Sequence, residues 1–465
     1  MADETTTQPR GDHDESPDDR RNRRLGIASG AFAGLSFDFL HPELILAGMV
    51  YALTGSKMMV AAVTVVSKAG VLAPQLLVGA GLEHHARKRP YFIGLTVVRA
   101  FGFAAMIAAM ARLTVTADAL TMNLFLLAYL VVCMCGGAGH VVFMDLAGRM
   151  VPTRQIGSFF GMRHFASGVL SIVAGVVLIQ PLLGRTSLFP VNYLILIIIG
   201  AVLSITDMTL FSLCREQPGP RAENRATFVE SLRRGFGWMK TDRNYRLFLL
   251  HRVTFRVNYL ALAFFIPYGT ERLASRAGPG GVAVLGGILV AALKLSRMIA
   301  SVVWGRVADR RGFRPPLIGF GAFLTVASVM ALAAPHLPET FAVAIPGTDA
   351  AVDLPLCAYL LALVVMGVGI QGSVLGGTRF LITTAPAHRR ISYVGFANTI
   401  TSPLTLLPLA GAALADTVGL GAVFACVVAG GLASLAVAMA MTAEDLTGRT
   451  SRLHDGNDLA AADDE

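Results

Sequence analysis

Charge is scarce in this chain. Only 15% of its 465 residues are Asp, Glu, Lys or Arg, against about 25% in ordinary soluble domains. Disorder is excluded, because it needs few apolar residues and 54% of these are hydrophobic. Cysteine is nearly absent. Cys133, Cys135, Cys214, Cys357 and Cys426 all lie in or at the ends of apolar runs, which gives no disulfide framework. Cys133 and Cys135, two residues apart, point to different faces of a helix and make a poor metal pair. The sequence contains no GxxxxGK[ST], HExxH or GxSxG motif, so nothing in it supports ATP binding, a zinc protease or a serine hydrolase. A signal peptide is not indicated either. Residues 1–24 are polar, and the apolar run that starts at Leu25 is too long for a signal core.

What the chain has instead is long apolar runs. Mean hydropathy is +0.62, and a span needs about 20 mostly apolar residues. Twelve segments qualify: 25–53, 57–80, 91–112, 118–147, 157–182, 189–214, 246–271, 281–305, 314–335, 354–384, 391–415 and 419–442. The expected fold is all-α: a polytopic membrane protein of two six-helix bundles. It divides into a tail (1–24), a first bundle (25–214), a central loop (215–245), a second bundle (246–442) and a tail (443–465).

Lys and Arg give the orientation. With both tails inside, the outer loops hold only Lys57, Arg185, Arg272 and Arg276, and the inner segments hold most of the rest. Both termini are therefore expected in the cytoplasm. The same asymmetry accounts for the pI of 9.6 without a nucleic-acid partner. In the central loop Phe228, Leu232, Phe236 and Met239 recur at helical spacing beside Arg233, Arg234 and Lys240. That pattern predicts an amphipathic helix or else a solvated linker. The outer loop 336–353 is expected to be irregular.

The halves match each other. At an offset of 226, Lys68 meets Lys294, Gly79 meets Gly305, Glu83 meets Asp309, Lys88 meets Arg314 and Pro90 meets Pro316. At 234, Asp145 meets Arg379, Pro152 meets Pro386, Ser158 meets Ser392, Phe159 meets Tyr393 and Gly161 meets Gly395. Parallel repeats of this kind form two bundles around a midplane cavity, and rocking one against the other alternates access to it.

Gly305-Arg306-Val307-Ala308-Asp309-Arg310-Arg311-Gly312-Phe313-Arg314 resembles the G-x-x-x-D-x-x-G-x-[RK] loop of the major facilitator superfamily. The first-half copy, Gly79 to Lys88, is degenerate: Glu83 replaces Asp and Ala86 replaces the second Gly. That departure argues against a symmetric second latch. The resemblance covers about 25–442 and implies a secondary transporter. It also implies a gating role for Asp309, Arg310 and Arg314, with Gly305 allowing close helix approach and Gly312 a tight turn.

Ionisable residues inside a span are functional candidates by default. The first span carries Asp38, His41 and Glu43 around Pro42, a group able to bind and release a proton. Lys68 and Lys294 lie near the midplane, Arg297 follows one turn after Lys294, and Arg256 lies as deep in the seventh span, with Asn258 and Tyr259 nearby. Acids are too few to pair with all these bases, which favours an anionic substrate. Nearer the cytoplasm, Arg99, Asp145, Asp207 and Arg379 are expected to form pairs that open and close between bundles, alongside Arg163, His164 and Arg252. Arg163 and Arg252 are as well explained by snorkelling to the inner interface. The small residues before His140 and along the tenth span are expected to pack helices closely. Gln371 and Asn398 are candidate cavity contacts.

The function expected is alternating-access transport of a small organic solute, proton-coupled and with an anion favoured. The setting is a bacterial-type inner membrane. No cofactor or metal is expected, only a proton or ion gradient, and the partners are lipid and a small-molecule substrate of a monomer. A drug or metabolite exporter with an apolar cavity, or a non-transporting receptor of the same fold, is the alternative.

Overall fold

The structure is a computed structural model, and it describes residues 16–116, 118–219, 227–273, 281–338, 340, 342–344 and 351–444. Helix α1 (Pro17–Phe39) starts at a capping box in which the Ser16 hydroxyl and the Asp19 carboxylate exchange bonds with backbone N–H groups. It therefore runs through the charged stretch Arg20–Arg24 before the apolar span begins. After a π-helical turn at Pro42–Leu46 come α2 (Ala47–Thr54), α3 (Lys57–Leu82), α4 (Arg89–Leu113) and α5 (Ala119–Met150). The first half closes with α6 (Ile156–Ala174), α7 (Gln180–Gly184) and α8 (Val191–Ser212).

Helix α9 (Phe228–Thr241) leads to the second half: α10 (Arg243–Leu273), α11 (Gly281–Arg311), α12 (Arg314–Ala333) and α13 (Leu354–Thr383). The chain ends in α14 (Arg390–Thr401), α15 (Leu407–Thr417) and α16 (Leu420–Ala440). Among the described residues, ten helical segments are long and apolar enough to cross a membrane. The other two expected spans coincide with α10 and with α14–α15. A 3-10 turn at Ser402–Leu406 splits the eleventh span.

The pairing of helices repeats. In the first half α1 packs on α8, α3 on α5, and α4 on α5 and α8. In the second half α10 packs on α16, α11 on α13, and α12 on α13 and α16. The halves meet reciprocally: α11 lies on α6 and α14 on α3. Each contact joins the second span of one half to the fifth of the other, as parallel repeats require. Apolar clusters fill each half, around Phe103, Met106 and Phe125 in the first and Phe265, Phe320 and Tyr359 in the second. A third cluster (Leu76, Phe159, Tyr245, Phe313, Tyr393, Phe396) joins both halves at the end carrying the chain termini. Phe101, Leu44 and Val177 point outward and are exposed, as a lipid-facing surface requires.

Two expectations change. Residues 336–353 are not wholly irregular, because Ala342–Ala344 pairs antiparallel with Ala351–Asp353. Helix α9 is amphipathic, but its apolar face is divided. Leu232 and Met239 pack on the shared core, and Phe228 and Phe236 stay exposed. Gly235 lies directly against the Phe396 ring of α14, so α9 braces the closed end.

Candidate functional site

The first span breaks where Pro42 cannot donate a backbone hydrogen bond. Helix α1 stops at Phe39, and the His41 carbonyl accepts from Ile45 N (2.9 Å) and Leu46 N (3.1 Å). The break presents three ionisable groups. Asp38 Oδ1 accepts from Lys294 Nζ at 3.2 Å, across the two halves. Glu43 Oε1 lies 3.1 Å from Lys68 Nζ. Three of the four groups are well exposed, Lys294 at 49%, Lys68 at 46% and Glu43 at 50%, and Asp38 is 15% exposed. His41 lies within electrostatic reach of Glu43, Asp38, Lys294 and Lys68, and its Nδ1 is buried with no hydrogen-bond partner among the described residues. Five of the candidates thus come together. Acids are therefore not too few for Lys68 and Lys294, because one helix break supplies a carboxylate to each.

A second group lies further in. His140 on α5 and His164 on α6 are accessible yet surrounded by protein. The charges acting on His140 are Arg252 and Arg163, and those acting on His164 are Arg297 and Arg163. Arg163 belongs to the first half, Arg252 and Arg297 to the second. Arg163 and Arg252 do not snorkel away. Arg163 donates to the Gly26 carbonyl and lies 4.5 Å from the Phe143 ring centroid. Arg252 donates to Asn398 Oδ1 at 2.8 Å, and Asn398 Nδ2 donates to Gln75 Oε1 at 2.7 Å. Asn398 is therefore a strut between halves. Gln371 is buried in α13, and its Nε2 has no partner among the described residues. Arg256 is buried in α10. The side chains of Asn258 and Tyr259 lie outside the described residues.

Asp207 accepts from Ser29 Oγ at 2.6 Å and lies within reach of Arg163 and Arg99. Arg99 also donates towards Met208 Sδ at 3.4 Å. All these residues belong to the first half, so Arg99 and Asp207 are not an inter-bundle pair as the sequence suggested.

The end carrying the termini is clamped twice. Asp309, in the last turn of α11, accepts from Gly157 N (2.6 Å) and Ser158 N (2.7 Å) at the start of α6, and from the Ser158 hydroxyl. A carboxylate at a helix N-terminus satisfies orphan N–H groups and faces the positive end of the helix dipole. Glu83, just past α3, accepts from Ser392 N of α14 at 3.0 Å. The degenerate first loop therefore builds a smaller counterpart of the second clamp, through one N–H, since Glu reaches the partner helix as Asp does. Close approach makes both possible. A Cβ on Gly305 would come 2.7 Å from the Gly157 carbonyl oxygen, and one on Gly79 would come 3.1 Å from Ser392 Cα. Gly312 has φ +77° and turns the chain into α12. Arg310 is exposed at the end of α11.

Behind each clamp lies an ion network. Arg379 donates to Asp309 Oδ1 (3.1 Å), to the Thr153 carbonyl (3.1 Å) and to both Glu444 oxygens (2.8 and 3.0 Å). Glu444 also accepts from Phe313 N, and Arg314 donates to the Ala438 carbonyl at 3.4 Å. In the first half Asp145 pairs with Lys88 (3.1 Å) and Arg149 (2.7 Å). Glu216 accepts from Lys88 N and Arg89 N, both at 2.8 Å. Asp145 and Arg379 thus find their ionic partners within their own halves, apart from Arg390 at 3.9 Å from Asp145. They do not form the opening pair that was expected. Burial holds the Glu83 carboxyl above its usual range, opposed by its bonding to Ser392 N. Burial likewise lowers Lys88, opposed by Asp145.

Sequence reasoning missed Arg149, Glu216, Arg390 and Glu444. A signal was present. Glu216 and Glu444 each follow the last span of a half and meet the Arg at the end of that half's fourth span.

Comparison with known proteins supplies the family. The profile described as Major Facilitator Superfamily matches residues 26–402. A bacterial homologue of the iron transporter ferroportin, in an outward-facing state, is 16% identical with a TM-score of 0.68. The alignment covers 91% of this chain and 99% of that one. The transporter FucP in its outward conformation is 10% identical with a TM-score of 0.66, over 90% of this chain and 98% of its own. The proton:xylose symporter XylE is 10% identical with a TM-score of 0.64, over 92% and 97%. No curated protein matches in sequence. At these identities the structural likeness is one of fold.

Proposed function

The chain belongs to the major facilitator superfamily, and from that premise we propose that it is a proton-coupled secondary transporter of a small organic solute bearing an acidic group. It works by alternating access. The halves are clamped at the end carrying both termini, and Lys294, Lys68 and Glu43 stay accessible beyond the clamp. With the termini in the cytoplasm of a bacterial-type cell, as the positive-inside pattern indicates, this is the outward-open state of an inner-membrane protein. The protein acts as a monomer.

The observation that carries the solute class is the setting of His140 and His164. Both are accessible between the halves, and among the described residues both feel arginines of the first and second half and no carboxylate. An acidic group there neutralises charge that is costly at mid-depth, and it bridges the parts that must move. Asp38, Glu43 and His41, at the broken helix, are the groups through which a proton gradient acts. Their neighbours Lys68 and Lys294 complete that set. Two neighbours in fold carry proton symport in their printed descriptions, for xylose and for fucose, which supports proton coupling here.

The test is flux in proteoliposomes with an imposed pH gradient, using acidic, basic and neutral solutes. Acidic solutes are expected to move with protons, and Arg297→Gln and Arg252→Gln to lose that flux. Flux of apolar or cationic compounds alone, unchanged in both variants, would replace this reading with an exporter. Binding without flux would replace it with a receptor.

A further inference from the structure

The Asp38–Lys294 pair has an unusual place. It is an ion pair between the halves, near mid-depth, and its lysine is 49% exposed. Lys294 and Arg297 lie three residues apart on α11, on one helical face. Arg297 lies within electrostatic range of His164 in the inner layer. One helix face thus runs from a carboxylate-bound lysine to the arginine and histidine layer.

Consider what each kind of charged solute does there. A simple anion that recruits Lys294 strips Asp38 of its partner and strands a carboxylate. A simple cation that takes Asp38 strands Lys294. A solute with both charges strands neither: its ammonium takes Asp38, and its acidic group takes the released Lys294 together with Arg297. One ion pair becomes two, and the charge count at mid-depth is unchanged. An accessible ion pair contributes little net stability, so exchanging its partners costs little. A lysine ammonium on a flexible four-carbon stem suits the exchange better than a rigid guanidinium. Glu43 and Lys68 beside it are already paired and keep the surroundings neutral.

We propose that the transported solute is amphoteric, with an ammonium group that docks on Asp38 and an acidic group that docks on Lys294 and Arg297. This rests on the acid-bearing reading above and narrows it. The solute then replaces the direct link between the halves by a longer one running through itself, so its binding acts on the element that rocks.

The test is a melting-temperature titration of the purified full chain with matched probes. One set is β-alanine, propionate, propylammonium and propionamide. A larger set is phenylalanine, 3-phenylpropionate and phenethylammonium. An amphoteric probe is expected to raise the melting temperature saturably, with its single-charge analogues about tenfold weaker or more. Asp38→Asn and Lys294→Met are expected to erase that preference. Lys294→Arg and the exchange of Asp38→Lys with Lys294→Asp keep the charges, and they are expected to retain it if the single variants fold poorly. An anion that binds as well as its amphoteric partner overturns this proposal and leaves the acid-bearing reading standing. Failure of every acid-bearing probe overturns both.

Discussion

The carboxylate of Asp309 in the second half caps the first turn of α6 in the other half, through the N–H of Gly157 at 2.6 Å and of Ser158 at 2.7 Å. This bond set requires the two halves to be in contact. It reads as a measure of closure at that end, and it can be perturbed without touching the solute site.

Asp309→Asn keeps the shape and removes the charge. The cap then loses its charge-assisted bonds, worth about 1–3 kcal/mol together. Amide hydrogen exchange over residues 156–160 is expected to rise about tenfold, and exchange within α12 to stay unchanged. Equal exchange in variant and parent would show that the cap does not hold the halves.

Glu83 titrates with a definite sign. Its carboxyl is buried and sits above the usual range, so the folded, closed protein binds this proton more tightly than the unfolded chain does. Its contribution is present below pH about 4.5, the ordinary value, and is lost as pH rises through the raised one. Melting temperature measured from pH 4.5 to 7 is expected to fall more steeply in the parent than in Glu83→Gln. Parallel curves would remove Glu83 from the linkage.

Gly157 has no room for a side chain, because a Cβ there would overlap the Gly305 carbonyl. Gly157→Val is expected to fold, since the obstruction lies between the halves and not within one. It is also expected to hold the clamped end apart and so abolish flux. A cysteine cross-link between α6 and α11 that forms in the parent should fail in this variant.

Arg379 is 1% exposed and serves two carboxylates and a carbonyl. Arg379→Ala leaves Asp309 and Glu444 uncompensated and is expected to cost about 3–5 kcal/mol, a loss of several degrees in melting temperature. Glu444→Gln, which keeps a hydrogen-bonding group, should cost less. Equal losses would place the stabilisation in side-chain packing rather than charge.

Much of this was legible in the residues. Apolar run lengths gave the spans, and the two constant offsets gave the repeat that reappears as paired helix contacts. Pro42 and its three ionisable neighbours marked the break in the first span. Partner choice was not legible. Lys68 and Lys294 look equivalent in sequence, yet Glu43 answers one within its own half and Asp38 answers the other across the halves. Burial of the bases could be inferred from depth, but the direction of each side chain depends on helix rotation, which a period of 3.6 leaves open. Glu216 and Glu444 were passed over because they stand outside the apolar runs, where an acid costs nothing and draws no notice.

The two clamps draw most of their bonds on the gripped side from the main chain. Asp309 and Glu83 grip main-chain amides, and the amides at 158 and 392 are supplied by whatever residue stands there. Apart from proline, every amino acid carries the same group there. Drift at 158 and 392 therefore leaves these main-chain bonds in place, whereas 157 has room for glycine alone. A proline at 158 or 392 would remove a clamp bond that loss of the side chain there leaves in place.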